Sequence, residues 1–241
     1  IAKLAKGDLV SLIVGEFPEL QGVMGRWYAL REELPADVAD AIRDHYLPKS
    51  ASDGLPASVL AAHLGLADRA DTLVGCFGIG LVPSGSADPY ALRRAALGLI
   101  RLAVEGPVDV NLEGPAGLLE GAYDRFVTQN KVLKSKPETL GALGTFVRGR
   151  LETYFVMKGK GMFAQDAIVA CLWAWDGASM RDLEKRIATV TRVSREMDFA
   201  IFRECYRRSY NISRDVGAGR AHESLMTEAA ERDLALAWEE V

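Results

Sequence analysis

The stretch "LADRADTLVGCFGIGLVPSGSADPYALRRAALG", residues 66 to 98, lies between two runs that read as helices. Its middle sets Gly75, Gly78, Gly80 and Gly85 among small and apolar side chains, and it restarts at Asp88–Pro89 before the paired Arg93–Arg94. Three readings compete for it: a phosphate cradle, a metal-bearing turn, or a tight connection between helices. Backbone N–H groups exposed at a helix N-terminus do favour an anion. Yet neither GxGxxG nor GxxxxGK(S/T) is present, and no strand precedes the glycines. Asp88 reads as an N-cap with Pro89 at the first helical position. The glycines then serve a tight crossing between helices. Arg93 and Arg94 fall on adjacent faces of the first turns, so at most one of them faces the core.

Outward from this stretch the periodicity is helical almost everywhere. "ETLGALGTFVRGRLETYF" (138 to 155) places Leu140, Leu143, Val147, Leu151, Tyr154 and Phe155 on one stripe, the spacing of an amphipathic helix. Pro137 ahead of it suits a first-turn position. The run from Ser179 to Ile212 repeats the pattern through Leu183, Ile187, Val190, Met197 and Ile201, with Ser179 as N-cap and Asp182 three residues on. No alternation of period two stands out, so the expected fold class is all-α. "VEGPVDVNLEGPAG" (104 to 117) carries two Gly-Pro pairs that break the helical reading. The expected layout is a compact helical domain over 1–105, a linker over 106–136, and a second helical unit over 137–241. The closing stretch from Arg220 reads as helical without a C-cap glycine. The chain has the look of a piece of something longer.

With 241 residues, 49% of them apolar and 26% charged, the composition is that of a globular protein. A net charge of −4 gives no general reason to bind nucleic acid. Basic residues nonetheless gather downstream: Arg125, Lys131, Lys134, Lys136, Arg148, Arg150, Lys158 and Lys160, then Arg192, Arg195, Arg203, Arg207, Arg208 and Arg214. These suit either a phosphate backbone or solvated helix faces. No apolar run approaches the roughly 20 residues of a membrane span. Cys76, Cys171 and Cys205 are odd in number and scattered, which argues for a reducing compartment over a disulfide framework.

Metal chemistry has thin support. Asp8, His45 and Asp68 would form a hydrolytic metal site if the fold gathered them; capping acids and a core histidine are the plainer explanation. No Ser-His-Asp or Cys-His arrangement stands out, and Cys76 reads as a small buried thiol.

Four blocks carry a resemblance: "GEFPELQGVMGRWYAL" (15 to 30), "DHYLP" (44 to 48), the opening stretch, and "YFVMKGKGMFAQDAIVACLW" (154 to 173). Together they resemble the beta subunit of the bacterial two-subunit glycyl-tRNA synthetase. "YRRSYNI" (206 to 212) is similar to a later family stretch, keeping its basic pair and closing Asn-Ile. The resemblance implies a degenerate HD-like helical domain, a linker and the start of an anticodon-binding bundle. It implies a cytoplasmic protein that binds tRNA-Gly and assembles with the alpha subunit, two alpha with two beta. Catalysis, ATP and Mg belong to the alpha subunit, with no cofactor and no catalytic residue in this chain. Arg93, Arg94, Arg207 and Arg208 are the implied RNA contacts. Of the His-Asp pair that names HD proteins, "LAKGDL" keeps Asp8 but has Gly7 in place of the histidine, and "LADRAD" offers Asp68 as the later acid. The alternative is a metal-dependent HD-type phosphohydrolase acting on a nucleotide; Gly7 counts against it.

Overall fold

The computed structural model describes residues 1–83, 88–114, 117–129, 134–159, 161–213 and 228–230. Among them the fold is all-α, as expected, with a single isolated bridge between Asn111 and Ser179. The chain forms two compact units, Ile1–Arg192 and Val193–Val241.

The first unit opens with a 3-10 turn at Gly7–Val10, then α1 (Leu12–Glu16), α2 (Val23–Arg31) and α3 (Ala36–Asp44). Next come α4 (Val59–Gly78), α5 (Leu92–Glu105), α6 (Leu118–Thr128), α7 (Lys136–Gly159), α8 (Gln165–Trp173) and α9 (Met180–Val193). α4 is the axis of this unit, packing against α3, α5, α6 and α7. Ser58 starts it as N-cap, its side chain accepting from the Ala61 N–H at 3.0 Å. Leu66, Leu73, Val74 and Phe77 of α4 share one core with Leu99 and Leu102 of α5, Leu143, Val147, Leu151 and Phe155 of α7, and Ile168 of α8. Each such side chain stabilises the fold by about 1.5–3 kcal/mol relative to exposure. The stripe expected on α7 is therefore the buried one, with Leu140 at its half-buried edge. Residues of the Gly-Pro stretch and beyond, Leu112, Leu119 and Tyr123, join the same core. Leu112 and Glu113 donate their N–H groups to the Gly177 carbonyl, which pins that crossing beneath α9.

The glycine-rich segment resolves into a helix stop. Gly80 takes φ +86° just past the end of α4, the Gly80 N–H bonds the Phe77 carbonyl at 3.0 Å and the Leu81 N–H reaches back to the Cys76 carbonyl at 2.8 Å. This is a Schellman closure, which needs a residue tolerant of positive φ and satisfies carbonyls the helix would otherwise leave open. Gly85 lies outside the described residues.

Asp88 does cap α5, but from four residues out. Its carboxylate accepts from the Leu92 N–H at 2.8 Å and the Arg93 N–H at 3.0 Å. Pro89 sits in a turn ahead of the helix, not at its first position, because Ala91 adopts a left-handed conformation (φ 55°) and delays the helix to Leu92. Ser179 caps α9 as expected, accepting from the Asp182 N–H at 3.2 Å.

In the second unit α10 (Met197–Ser213) has exposed Ile201, Phe202, Tyr206, Tyr210 and Ile212 along its length. Most of the closing stretch from Arg220 lies outside the described residues, as do Lys131, Lys160 and Arg214 of the basic sets.

Candidate functional site

In the described structure two of the three candidate metal-site residues, His45 and Asp68, meet at Lys6, while the third, Asp8, is engaged with backbone amides at the start of α2. Asp8, in the first 3-10 turn, is 1% exposed. Its Oδ2 accepts from the Gly22 N–H at 2.6 Å and the Gly25 N–H at 3.1 Å, so it anchors the start of α2. Gly25 must lack a side chain there, since a Cβ would come 2.8 Å from Ile42 and 3.2 Å from the Asp8 carboxylate.

His45 ends α3 and is fully buried. Its Nδ1 lies 2.8 Å from the Ile42 carbonyl. A carbonyl can only accept, so Nδ1 carries the proton and Nε2 keeps its lone pair. That lone pair meets Lys6, whose Nζ stands 3.0 Å away. The same Nζ donates to Asp68 Oδ2 on α4 at 2.9 Å and sits 4.0 Å from the centre of the Tyr46 ring. Burial, and then the charge of Lys6, hold the His45 pKa below the ordinary imidazole value. The ring is neutral at pH 7. Burial likewise pushes the Tyr46 phenol up to about 12.

A divalent metal does not fit this donor set. Zinc wants nitrogen and oxygen ligands at about 2.0–2.2 Å, and the point between His45 and Asp68 already holds an ammonium. Asp8 points its bonded oxygen at backbone amides. Among the described residues no group of three or more His, Cys, Asp or Glu side chains is placed to hold a metal ion.

Behind this pair lies Arg69, which nothing in the sequence singled out. It is 7% exposed on α4. Nη1 donates to the carbonyls of His45 (3.0 Å) and Gly65 (2.9 Å), and Nη2 to those of Tyr46 (2.9 Å) and Pro48 (3.0 Å). One guanidinium thus holds the whole "DHYLP" turn against α4, cis Leu47–Pro48 bond included. Gly98 of α5 makes room for it: a Cβ there would fall 2.4 Å from Arg69 Nε. Lys6, Tyr46 and Arg69 are the residues sequence reasoning missed. The only signal was adjacency, since Lys6 sits in "LAKGDL" and Arg69 in "LADRAD".

The proposed RNA contacts divide between the units. Arg93 is half-buried and Arg94 exposed in the first turn of α5. Arg207 and Arg208 are exposed on α10, where both pair with Glu204, at 2.9 and 3.0 Å. Much of the other basic set is engaged within the fold. Lys134 pairs with Glu138, Lys136 with Glu120 and Asp124, Arg148 with Glu113, and Lys158 with Glu184. No helix among the described residues is long and apolar enough to cross a membrane.

Comparison with known proteins adds a family. The family model described as "Glycyl-tRNA synthetase beta subunit" matches residues 1–172. The chain is 40% identical over 241 residues to the glycine–tRNA ligase beta subunit of Geobacter sulfurreducens, covering all of this chain and 34% of that protein. It is 41% identical over 230 residues to the same subunit of Geobacter metallireducens, covering 95% of this chain and 32% of that one. Against the subunit of Janthinobacterium sp. (strain Marseille) it is 38% identical over 233 residues, covering 95% and 31%. The chain spans about a third of the length of these curated relatives.

Proposed function

The chain belongs to the glycyl-tRNA synthetase beta-subunit family, and from that premise we propose that this segment binds tRNA-Gly and positions it for aminoacylation by the alpha subunit. The observation that carries the reading is the extent of the match, which runs along the whole chain and not over one motif. In this reading residues 1–105 act as a degenerate HD-like domain kept for binding, with residues 137–241 opening the anticodon-binding part. The assembly holds two alpha and two beta subunits in the cytoplasm, and ATP and Mg are bound by the alpha subunit. Arg93 and Arg94, at the start of α5, contact the RNA backbone from the first unit; Arg207 and Arg208 do so from α10. Exposure of Arg94, Arg207 and Arg208 supports these roles. Lys6 between His45 and Asp68 favours binding over nucleotide hydrolysis, because hydrolysis of the HD type needs a metal there.

A binding titration of the full chain against tRNA-Gly and a non-cognate tRNA, across a salt series, tests this. Affinity is expected to fall linearly on a log–log plot. Arg93→Ala and Arg94→Ala are each expected to make the slope shallower by roughly 0.7–0.9 per lost phosphate contact. Unchanged affinity and slope in both variants would remove those arginines from the interface. Absence of any tRNA affinity at low salt would sink the RNA-binding reading as a whole.

A further inference from the structure

We propose that His45, Asp68 and Tyr46 form a binding site for a primary ammonium group, that Lys6 is its permanent occupant, and that the site is thereby closed to metal ions. The inference stands apart from the tRNA reading and rests on the geometry around Lys6 alone.

Three different groups converge on one point. The His45 Nε2 lone pair lies 3.0 Å from Lys6 Nζ, the Asp68 carboxylate 2.9 Å, and the Tyr46 ring centre 4.0 Å. A primary ammonium has three N–H donors. One goes to nitrogen and one to oxygen, while the charge lies over the aromatic face, which attracts cations within about 6 Å. A quaternary ammonium, having no N–H, could make neither hydrogen bond.

The cage is held from behind. The proton on Nδ1 is fixed by the Ile42 carbonyl, so Nε2 is always the accepting nitrogen. The His45 carbonyl is tied to Arg69, which fixes the backbone that carries the ring. The rings of His45 and Tyr46 are 3.9 Å apart, so neither swings without the other. The ammonium faces the Asp68 carboxylate and a neutral imidazole directly, with the Arg69 guanidinium acting on His45 and the Asp8 carboxylate acting on Tyr46 from farther off. Lys6 arrives from a segment 39 residues before His45 and 62 before Asp68. Its ammonium therefore does in this fold what a bridging metal would do: it joins the N-terminal turn, the end of α3 and the middle of α4.

Chemical rescue reads this directly. Lys6→Ala removes the propylammonium portion of the side chain, and its Tm is expected to drop by several degrees. Propylammonium chloride is expected to restore Tm in a saturable way, with no effect on the wild type. Tetramethylammonium chloride at equal concentration is expected to do nothing, and Lys6→Ala/Asp68→Asn is expected to lose the rescue. Equal restoration by both salts, or none by propylammonium, would overturn the proposal. Should Lys6→Ala fail to fold, Lys6→Met keeps the bulk, and nitrogen NMR of His45 then decides. The Nε2 resonance is expected to shift between wild type and Lys6→Met; an unmoved resonance would overturn the proposal. In the wild type, added Co2+ is expected to leave His45 signals sharp. Stoichiometric broadening of those signals would show a site open to metal and refute the closure.

Discussion

Two arginine settings in this chain use the same side chain for opposite ends. On α4, Arg69 is buried with four hydrogen bonds to main-chain carbonyls from two segments. On α10, Arg207 and Arg208 stand in solvent, sharing one glutamate from their own helix. The first is part of the architecture, and its removal strands four main-chain acceptors that are buried or half-buried. The second pair is held loosely by a neighbour that solvent can replace. Exposed pairs of this kind contribute little, which leaves their charge available to a ligand. A charged residue's role thus follows from what would be left behind without it.

The contrast can be broken at its strong end first. Arg69→Ala is expected to cost at least about 3 kcal/mol, since unpaired buried carbonyls carry a penalty of roughly 1–3 kcal/mol each and a cavity adds to it. Chemical denaturation measures this, and a loss below about 1 kcal/mol would mean that water reaches the "DHYLP" turn. Next in size, Gly98→Ala introduces a methyl 2.4 Å from Arg69 Nε. Overpacking of this sort costs about 1–3 kcal/mol, and the same substitution in an Arg69→Ala background is expected to be nearly neutral. A double-mutant cycle tests the coupling; simple additivity would separate the two positions. The smallest effect belongs to α10. Glu204→Ala is expected to leave Tm unchanged while strengthening tRNA binding at low salt, because it frees two guanidinium groups. A clear fall in Tm would show that the helix depends on the pair.

The sequence made these regions legible to different degrees. The stripe on α7 could be read because burial imposes a 3.6-residue period, and Leu143, Val147 and Leu151 report it without reference to the rest of the chain. Ser179 was readable for the same local reason, its partner lying three residues on. The capping role of Asp88 is legible in the sequence but its register is not, as the left-handed Ala91 moves the helix start and no residue type announces that conformation. Arg69 was not readable at all. Its partners are carbonyls up to 24 residues away, and a carbonyl is present at every position. Lys6 was hidden in the same way, its partners brought in by tertiary packing. Of the candidate trio, His45 and Asp68 do meet, but through a lysine; Asp8 turned out to hold the start of α2. Polar networks between distant segments leave almost no periodic trace, whereas apolar faces must.

The close fit of Gly98 over Arg69 has a consequence for how this family can change. Neither position is free to drift alone: a larger residue at 98 evicts the guanidinium, and a smaller one at 69 opens a hole that glycine cannot fill. Across relatives the two sites should therefore be inherited as a pair, arginine with glycine, and lineages that abandon one should have abandoned the other.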